Sequence, residues 1–502
     1  GAPMDPLTGY PHSHYAAYLG VNGERFRVVM DTGSTDFALQ AKGCTGCQPG
    51  PKLSLDSHNI TAIACSDSKF WCSNNQQTFD NECLVRQHAG GFTDVSTTSK
   101  SFTDCVQNAL DLNSLCAEEA TFTCPGMTFS TKNGCSACAA YGSTLSVHGF
   151  SGVVVTAPVA FSPNGTTFNA PIIALQHTFG GAGGGVIDAS VQGIVGLGPV
   201  LGSKIGAPSL IEELGSPVFT VRVAKEGSCL SSGMNADLAS SPFTACPMTS
   251  SNYPCPAVGP ILTTSSSNTI AMLGFSVGGN TSMIPDVTPQ FGQNCTMSGP
   301  PTVVIDSGTP LAMLATANVG TTALAALKAA GELCLQQQLE GQIQAIVCFS
   351  DTLPDLQVIV QATNGQRLHL SFPPATWMNT SGVLVSPIIW SDTTQSNILG
   401  APFMEGFAVA YDWTAGTISF ANQSTKACPF TEYPYTPPPP SNPKGSGSKF
   451  PTYAIVIIVV GGVALIAAVV VVAVVRSRRN GRRVEMQQMG GVGTSDQAYA
   501  KM

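Results

Sequence analysis

Hydrophobic positions along this chain fall mostly in short runs of period two separated by turn residues, a pattern that predicts strands rather than long helices. Tyr15-Ala16-Ala17-Tyr18-Leu19 and Phe26-Arg27-Val28-Val29-Met30 flank Asn22-Gly23, so residues 15 to 30 predict a hairpin with a two-residue turn. Val153-Val154-Val155, Phe219 to Val223 and residues 356 to 361 predict further strands, and Phe407 to Tyr411 with Thr417 to Phe420 a closing hairpin. Helical patterning is confined to a short stretch, Pro208 to Leu214, and an Ala-rich one around Thr321 to Gly331.

Two of the apolar runs end alike. Val28-Val29-Met30 leads into Asp31-Thr32-Gly33-Ser34, and Val303-Val304-Ile305 leads into Asp306-Ser307-Gly308-Thr309. One Asp-x-Gly is ordinary turn chemistry. Two with the same hydrophobic approach and the same hydroxyl neighbours imply a duplicated half-site, in which the carboxyls meet and the hydroxyls bond around them. Each motif is followed far downstream by two branched apolar residues and a glycine, Ile194-Val195-Gly196 and Ile398-Leu399-Gly400, which extends the repeat through both halves.

The longest apolar run is of another kind. Tyr453 to Val475 holds 23 residues without a charge, enough to cross a hydrocarbon core of roughly 30 Å and too long and uniform for a core helix. Arg476, Arg478, Arg479, Arg482 and Arg483 follow it, against Lys444 and Lys449 before it, so the tail is expected in the cytoplasm and the preceding residues in a lumen or outside the cell. Residues 429 to 450, with Pro437 to Pro440 and then Gly-Ser, read as an extended stalk. Tyr499-Ala500-Lys501-Met502 fits a Y-x-x-Φ signal for a sorting adaptor. Gly1 begins without a basic and apolar leader, so the N-terminus reads as processed.

Composition agrees with this division. Charged residues make up 10% of the chain, while Gly (52) and Pro (35) are abundant, which favours strands and loops. The residues before the tail carry a net charge of −12, a surface unsuited to nucleic acid. Seventeen cysteines, and sequons at Asn59, Asn164, Asn280, Asn294, Asn379 and Asn422, point to an oxidising compartment and glycosylation. Ten of the cysteines lie between Cys44 and Cys138, including Cys44-x-x-Cys47 and Cys135-x-x-Cys138. Two such pairs could hold zinc, but they are 87 residues apart with six cysteines between, and a disulfide-stapled region is favoured. Seven cysteines remain from Cys229 to Cys428, which leaves one without an internal partner.

Other chemistries find little support. His12 and His14 could chelate a metal, but they sit at a terminus. The glycines of residues 180 to 185 lack the G-K-[ST] of a phosphate cradle, and Ser151 misses the G-x-S-x-G spacing by one position. Paired carboxyls that share one proton, by contrast, can activate a water and also supply an acid to a scissile carbonyl.

Asp31-Thr32-Gly33-Ser34, Asp306-Ser307-Gly308-Thr309, the flap-like Tyr141-Gly142-Ser143, and the hydrophobic-hydrophobic-Gly elements at 194–196 and 398–400 together resemble the pepsin-type (A1) aspartic protease family, over about residues 13 to 428. That resemblance implies a mostly β, bilobal fold of two six-stranded-barrel-type lobes around a central cleft. It also implies one catalytic Asp from each lobe, a protein or peptide substrate held extended beneath a flap, and neither metal nor cofactor. Asp31 and Asp306 would activate the water, Thr32 and Ser307 would brace them from below, and Ser34 and Thr309 would bond the outer carboxylate oxygens. Gly33 and Gly308 would admit close approach, and Tyr141 would cover the peptide; Cys334 and Cys348 are a candidate disulfide.

The expected divisions are an N-terminal lobe at 1–215 with a Cys-rich insertion at about 44–138, a C-terminal lobe at 216–428, the stalk, a transmembrane helix at 453–475 and a cytoplasmic tail at 476–502. Two features depart from compact members. Ala38 stands seven residues after Asp31, where the family usually has Trp. The cysteine-rich insertion and the anchor resemble nepenthesin-like, plasmepsin V-like and secretase-like branches. The expected activity is an aspartic endopeptidase working at acidic pH, as a single-pass type I protein of an endosomal, lysosomal or vacuolar lumen or the cell surface. A catalytically weak binding or inhibitor protein on the same scaffold, and a selective secretase- or maturase-type processing enzyme, are the alternatives.

Overall fold

The computed structural model describes residues 2–6, 15–45, 47–57, 59–63, 121–124, 127–130, 136–141, 148–161, 167–179, 191–200, 207–224, 228–249, 268–278, 301–309, 312–314, 317–338, 344–349, 355–372, 378–380, 383–390 and 397–426, together with 165, 203, 205, 353 and 428. All belong to one compact unit, Gly1–Tyr435. Of the sequence expectations, the 453–475 span, the stalk, the Tyr499 signal, His12, His14, Gly142, Ser143, the 180–185 glycines, Asn164, Asn280, Asn294 and most of the cysteine-rich stretch lie outside the described residues. Among the described residues no helix is long and apolar enough to cross a membrane.

The first half is built from β1 (Ala2–Pro6), β2 (Tyr15–Val21), β3 (Glu24–Asp31), β4 (Phe37–Thr45), β5 (Ser136–Tyr141), β6 (His148–Ala160), β7 (Phe168–Phe179) and β8 (Gly193–Gly196). Strands β2 and β3 pair as the expected hairpin, with Asn22 and Gly23 at φ 51° and 80° in its turn. Strand β8 inserts between β3, which it meets in parallel, and β4, which it meets antiparallel. Val28 and Met30 face one hydrophobic cluster and Val29 another, so β3 is buried on both sides. This is why its approach to Asp31 is continuously apolar and not alternating.

A one-turn helix α1 (Leu210–Glu213) follows, capped by reciprocal bonds between Ser209 and Glu212. It is shorter than the Pro208 to Leu214 expectation. The second half continues with β9 (Val218–Arg222), β10 (Ser228–Ser232), β11 (Thr269–Val277), β12 (Thr302–Ile305), β13 (Ala312–Leu314), helix α2 (Ala317–Ala329), β14 (Cys334–Gln338), β15 (Gln344–Cys348), β16 (Leu356–Gln361) and β17 (Val383–Trp390). It closes with β18 (Asn397–Leu399), a one-turn helix α3 (Ala401–Met404), β19 (Phe407–Asp412) and β20 (Thr417–Asn422). Here β18 repeats the role of β8: it lies parallel to β12 and antiparallel to β13.

The strands form a mostly β, pepsin-like architecture in two large sheets. A 14-stranded sheet runs through the first half and, by way of β1, into β10, β9, β19 and β20; a 10-stranded sheet carries the rest of the second half. Strand β1 makes this join by pairing β10 on one edge and β2 on the other. Tyr15 on β2 donates to Glu405 Oε1 at 3.0 Å, a further tie between the halves.

Disulfides join Cys44 to Cys47, Cys229 to Cys428 and Cys334 to Cys348. The first of these assigns one C-x-x-C pair to the disulfide alternative. Cys246 is free and buried among the described residues, its thiol pushed up to about 12 by that burial. Beside the Cys229–Cys428 bridge, the buried Arg222 donates to the carbonyls of Ser424 and Lys426, at 3.0 and 2.6 Å, and so fastens the last described turn of chain to β9.

Helix α2 starts four residues before the sequence expectation, and Gly320 lies within it. A Cβ at 320 would overlap the indole of Trp390, which is buried on β17, so this glycine is what lets helix and sheet approach. The breaker thus serves packing. Gly320→Ala is expected to destabilise the fold by about 1–3 kcal/mol through overpacking, read as a lower urea midpoint at unchanged slope. An unchanged midpoint would mean that the helix does not rest on the indole.

Candidate functional site

Strands β3 and β12 end at Asp31 and Asp306, and the inserted strands hold those ends in place. Leu197 N–H donates to the Asp31 carbonyl at 2.8 Å, and Asp306 N–H to the Leu399 carbonyl at 3.0 Å. Gly196 stands opposite Asp31 in the β3–β8 register, and Ile398 and Leu399 stand opposite Val304 and Ile305. The hydrophobic-hydrophobic-Gly elements therefore shape the floor on which each carboxyl sits.

Four bonds cross between the halves below the carboxyls. Thr32 N–H donates to Ser307 Oγ at 3.1 Å, and Ser307 N–H to Thr32 Oγ1 at 2.9 Å. In turn Thr32 Oγ1 donates to the Ile305 carbonyl at 3.0 Å, and Ser307 Oγ to the Met30 carbonyl at 2.7 Å. Both hydroxyls are buried, so a lost partner would have no water to replace it.

Each carboxyl is then gripped by its own loop. Gly33 N–H reaches Asp31 Oδ1 at 2.8 Å and Gly308 N–H reaches Asp306 Oδ1 at 2.7 Å, while the Ser34 and Thr309 hydroxyls donate to the outer oxygens Oδ2. A Cβ on Gly33 would overlap the Asp306 carboxyl, and one on Gly308 the Asp31 carboxyl. The two motifs interlock, with each glycine making room for the opposite acid.

Asp31 and Asp306 are 5% and 8% exposed, and their carboxyls hydrogen-bond to one another. Burial foremost, then the negative charge of Asp306 and the bond with it, hold the Asp31 carboxyl well above the usual carboxylate range; Ser34 and Gly33 pull weakly the other way. The pair thus keeps a proton where free carboxyls have lost theirs. With a donor and a carboxylate side by side at a small opening, it can polarise a carbonyl and deprotonate a water.

The family model for eukaryotic aspartyl proteases matches residues 14–423. The chain belongs to this family. No curated protein matches it. Membership of that family implies proteins or peptides as the class of substrate.

Of the remaining expected site residues, Tyr141 is the last residue of β5 and pairs with His148 on β6, which places it at the end of a hairpin. Ala38 lies on β4 opposite Ile194 and Ile173, fully buried in the cluster that also holds Val29. The sequons Asn59 and Asn422 are exposed, and Asn379 lies in the short strand Met378–Thr380.

Three side chains at the site escaped the sequence reading. Tyr411 donates to Thr32 Oγ1 or the Ile305 carbonyl, at 3.1 and 3.2 Å; Asn268 Nδ2 donates to the Thr32 carbonyl at 2.7 Å; and Trp413 Nε1 donates to the Leu197 carbonyl at 3.2 Å. The available signal was a tyrosine at an inward position of the closing hairpin, since a buried phenol needs a partner.

The carboxyl pair carries a cost in stability. Below 3.8 Asp31 is protonated in both folded and unfolded states; as pH rises the unfolded chain releases that proton while the folded one keeps it, so stability falls until the raised folded pKa is passed. Asp31→Asn, which mimics the protonated acid, is expected to melt higher than the unsubstituted protein at pH 7. The gain should shrink to nothing as pH falls toward that of a free carboxyl. Parallel melting curves across this range would contradict the raised pKa.

Proposed function

We propose that this aspartyl protease is an aspartic endopeptidase active at acidic pH, with Asp31 and Asp306 as its catalytic pair. The observation that carries the reading is the hydrogen-bonded, buried carboxyl pair interlocked through Gly33 and Gly308. A peptide carbonyl above the pair would accept a hydrogen bond from whichever carboxyl holds the shared proton, while the other, as carboxylate, removes a proton from the attacking water. The water oxygen bonds to the carbonyl carbon and the shared proton passes to the carbonyl oxygen, giving a neutral gem-diol. Its collapse breaks the C–N bond; a proton moves from the dyad to the leaving nitrogen and one returns from a hydroxyl, so the pair ends with a single proton.

The fixed donors at Gly33, Ser34, Gly308 and Thr309 need no reorganisation as charge moves between the two acids. Activity belongs to the singly protonated pair, and its two limits are properties of that pair. Tyr141, at the end of the β5–β6 hairpin, is the residue assigned to cover the peptide.

The compartment is part of the proposal. The apolar run 453–475 with its following arginines supports a single-pass type I anchor. The disulfides and the exposed sequons Asn59 and Asn422 support an oxidising lumen or the cell surface.

Cleavage of a denatured protein, followed from pH 3 to 7, is expected to peak on the acidic side and to fall by roughly a thousandfold or more in Asp31→Asn and Asp306→Asn. Undiminished cleavage in either variant would refute the mechanism, and a wild-type chain that cuts no peptide would favour a non-catalytic binding protein. Alkaline carbonate is expected to leave the full chain with membranes and to release a chain ending before residue 453. Release of both would remove the anchor.

A further inference from the structure

The floor beneath the carboxyls is nearly two-fold, and Tyr411 breaks that symmetry. The hydroxyls of Thr32 and Ser307 each accept one N–H from the opposite loop and donate to one opposite carbonyl. Thr32 Oγ1 also lies 3.1 Å from Tyr411 Oη. A hydroxyl has one proton and two lone pairs, so Thr32 is fully occupied, whereas Ser307 Oγ has no third partner among the described residues.

Tyr411 comes from β19, in the half opposite Thr32, and is completely buried. Its ring is held independently of its hydroxyl, stacked on Phe219 at 4.9 Å and tilted against Trp413 at 5.3 Å. Its strand neighbours across the sheet, Phe219 on β9 and Ile418 on β20, are apolar. The charged groups acting on the phenol are Asp306 and Asp31, from the two catalytic loops. Burial and those two charges keep it protonated across the working range, so it is a permanent donor.

We propose that Tyr411 is a positioning residue of the dyad, whose hydroxyl locks the Thr32 side of the floor and lowers the pH at which the carboxyl pair first ionises. Both of its acceptors, Thr32 Oγ1 and the Ile305 carbonyl, belong to the floor beneath the carboxyls, so its hydroxyl proton is presented to that floor, where added positive potential favours the charged form of the pair. Two further donors from the same half reinforce the lock. Asn268 Nδ2 bonds the Thr32 carbonyl, and Trp413 Nε1 bonds Leu197, whose own N–H holds the Asp31 carbonyl. The first catalytic loop is thereby braced from the second half at three points beyond the crossed bonds.

This inference rests on the peptidase reading above. In the full chain, Tyr411→Phe keeps the ring and removes only the donor. It is expected to lower kcat by about 3- to 10-fold at unchanged KM and to move the acidic limb of the kcat/KM profile up by roughly half a pH unit, the scale of one indirect neutral hydrogen bond. Site-specific 3-fluorotyrosine at 411, a more acidic phenol and a stronger donor, is expected to move the limb down. It also tests the role if the Phe variant does not fold. A lower melting temperature with an unmoved limb would make Tyr411 merely structural and overturn the inference. A wild-type chain without activity overturns the peptidase reading, whereas an active wild type whose limb ignores both changes overturns only the role given to Tyr411.

Discussion

Two carboxyls are held in contact in a place with little water, and the rest of the fold answers to that constraint. Like charges so placed repel, and burial penalises each of them further. What opposes separation is a set of bonds in which neither half is complete alone: the Thr32 and Ser307 amides and hydroxyls all terminate on the opposite half. Each such bond is worth only about 1 kcal/mol net, but leaving its buried partner unmade costs more, and that asymmetry makes the crossing hard to open.

The constraint propagates outward through strands buried on both faces. β3 cannot shift by one residue without exchanging Val28 and Met30 for Val29 between two filled clusters, so the position of Asp31 is set by packing. β8 and β18 then cap the two strand ends from matching positions. More distant ties work to the same end, since Tyr15 to Glu405 and the shared strand β1 join the halves away from the site. The result is a rigid floor with open glycine edges, the arrangement that electrostatic preorganisation requires.

Those features recorded locally were legible in the sequence. The paired Asp motifs, the inserted strands at 194–196 and 398–400, the Asn22-Gly23 hairpin and the closing hairpin each announce themselves within a few residues. What stayed hidden depends on distant partners. Tyr411 read as one more member of an apolar strand, because alternation says that a side chain points inward and not that its hydroxyl meets Thr32, 379 residues away. Nothing local to Asn268 marks it either, since its partner, the Thr32 carbonyl, lies in the other half. The start of α2 was obscured because Gly320 weakens a helical pattern, and its reason, the indole of Trp390, lies on another strand. Parity of the second-half cysteines implied one unpaired thiol, but only the packing around Cys246 identifies a buried free one.

Near-identical motifs do not make identical acids. Asp31-Thr32-Gly33-Ser34 and Asp306-Ser307-Gly308-Thr309 offer the same donors to their own carboxyls, so the loops alone cannot decide where a shared proton rests. The decision must come from groups that the duplication did not copy. Around the first loop those are Asn268, Tyr411 and Trp413, all supplied by the second half, and among the described residues the second loop receives no comparable donors from the first. Peptide hydrolysis needs one acid and one base at the same moment, and two carboxyls in equal surroundings would offer each role half of the time. For the peptidase proposed above, an uneven floor would let a duplicated site assign its two halves to different work.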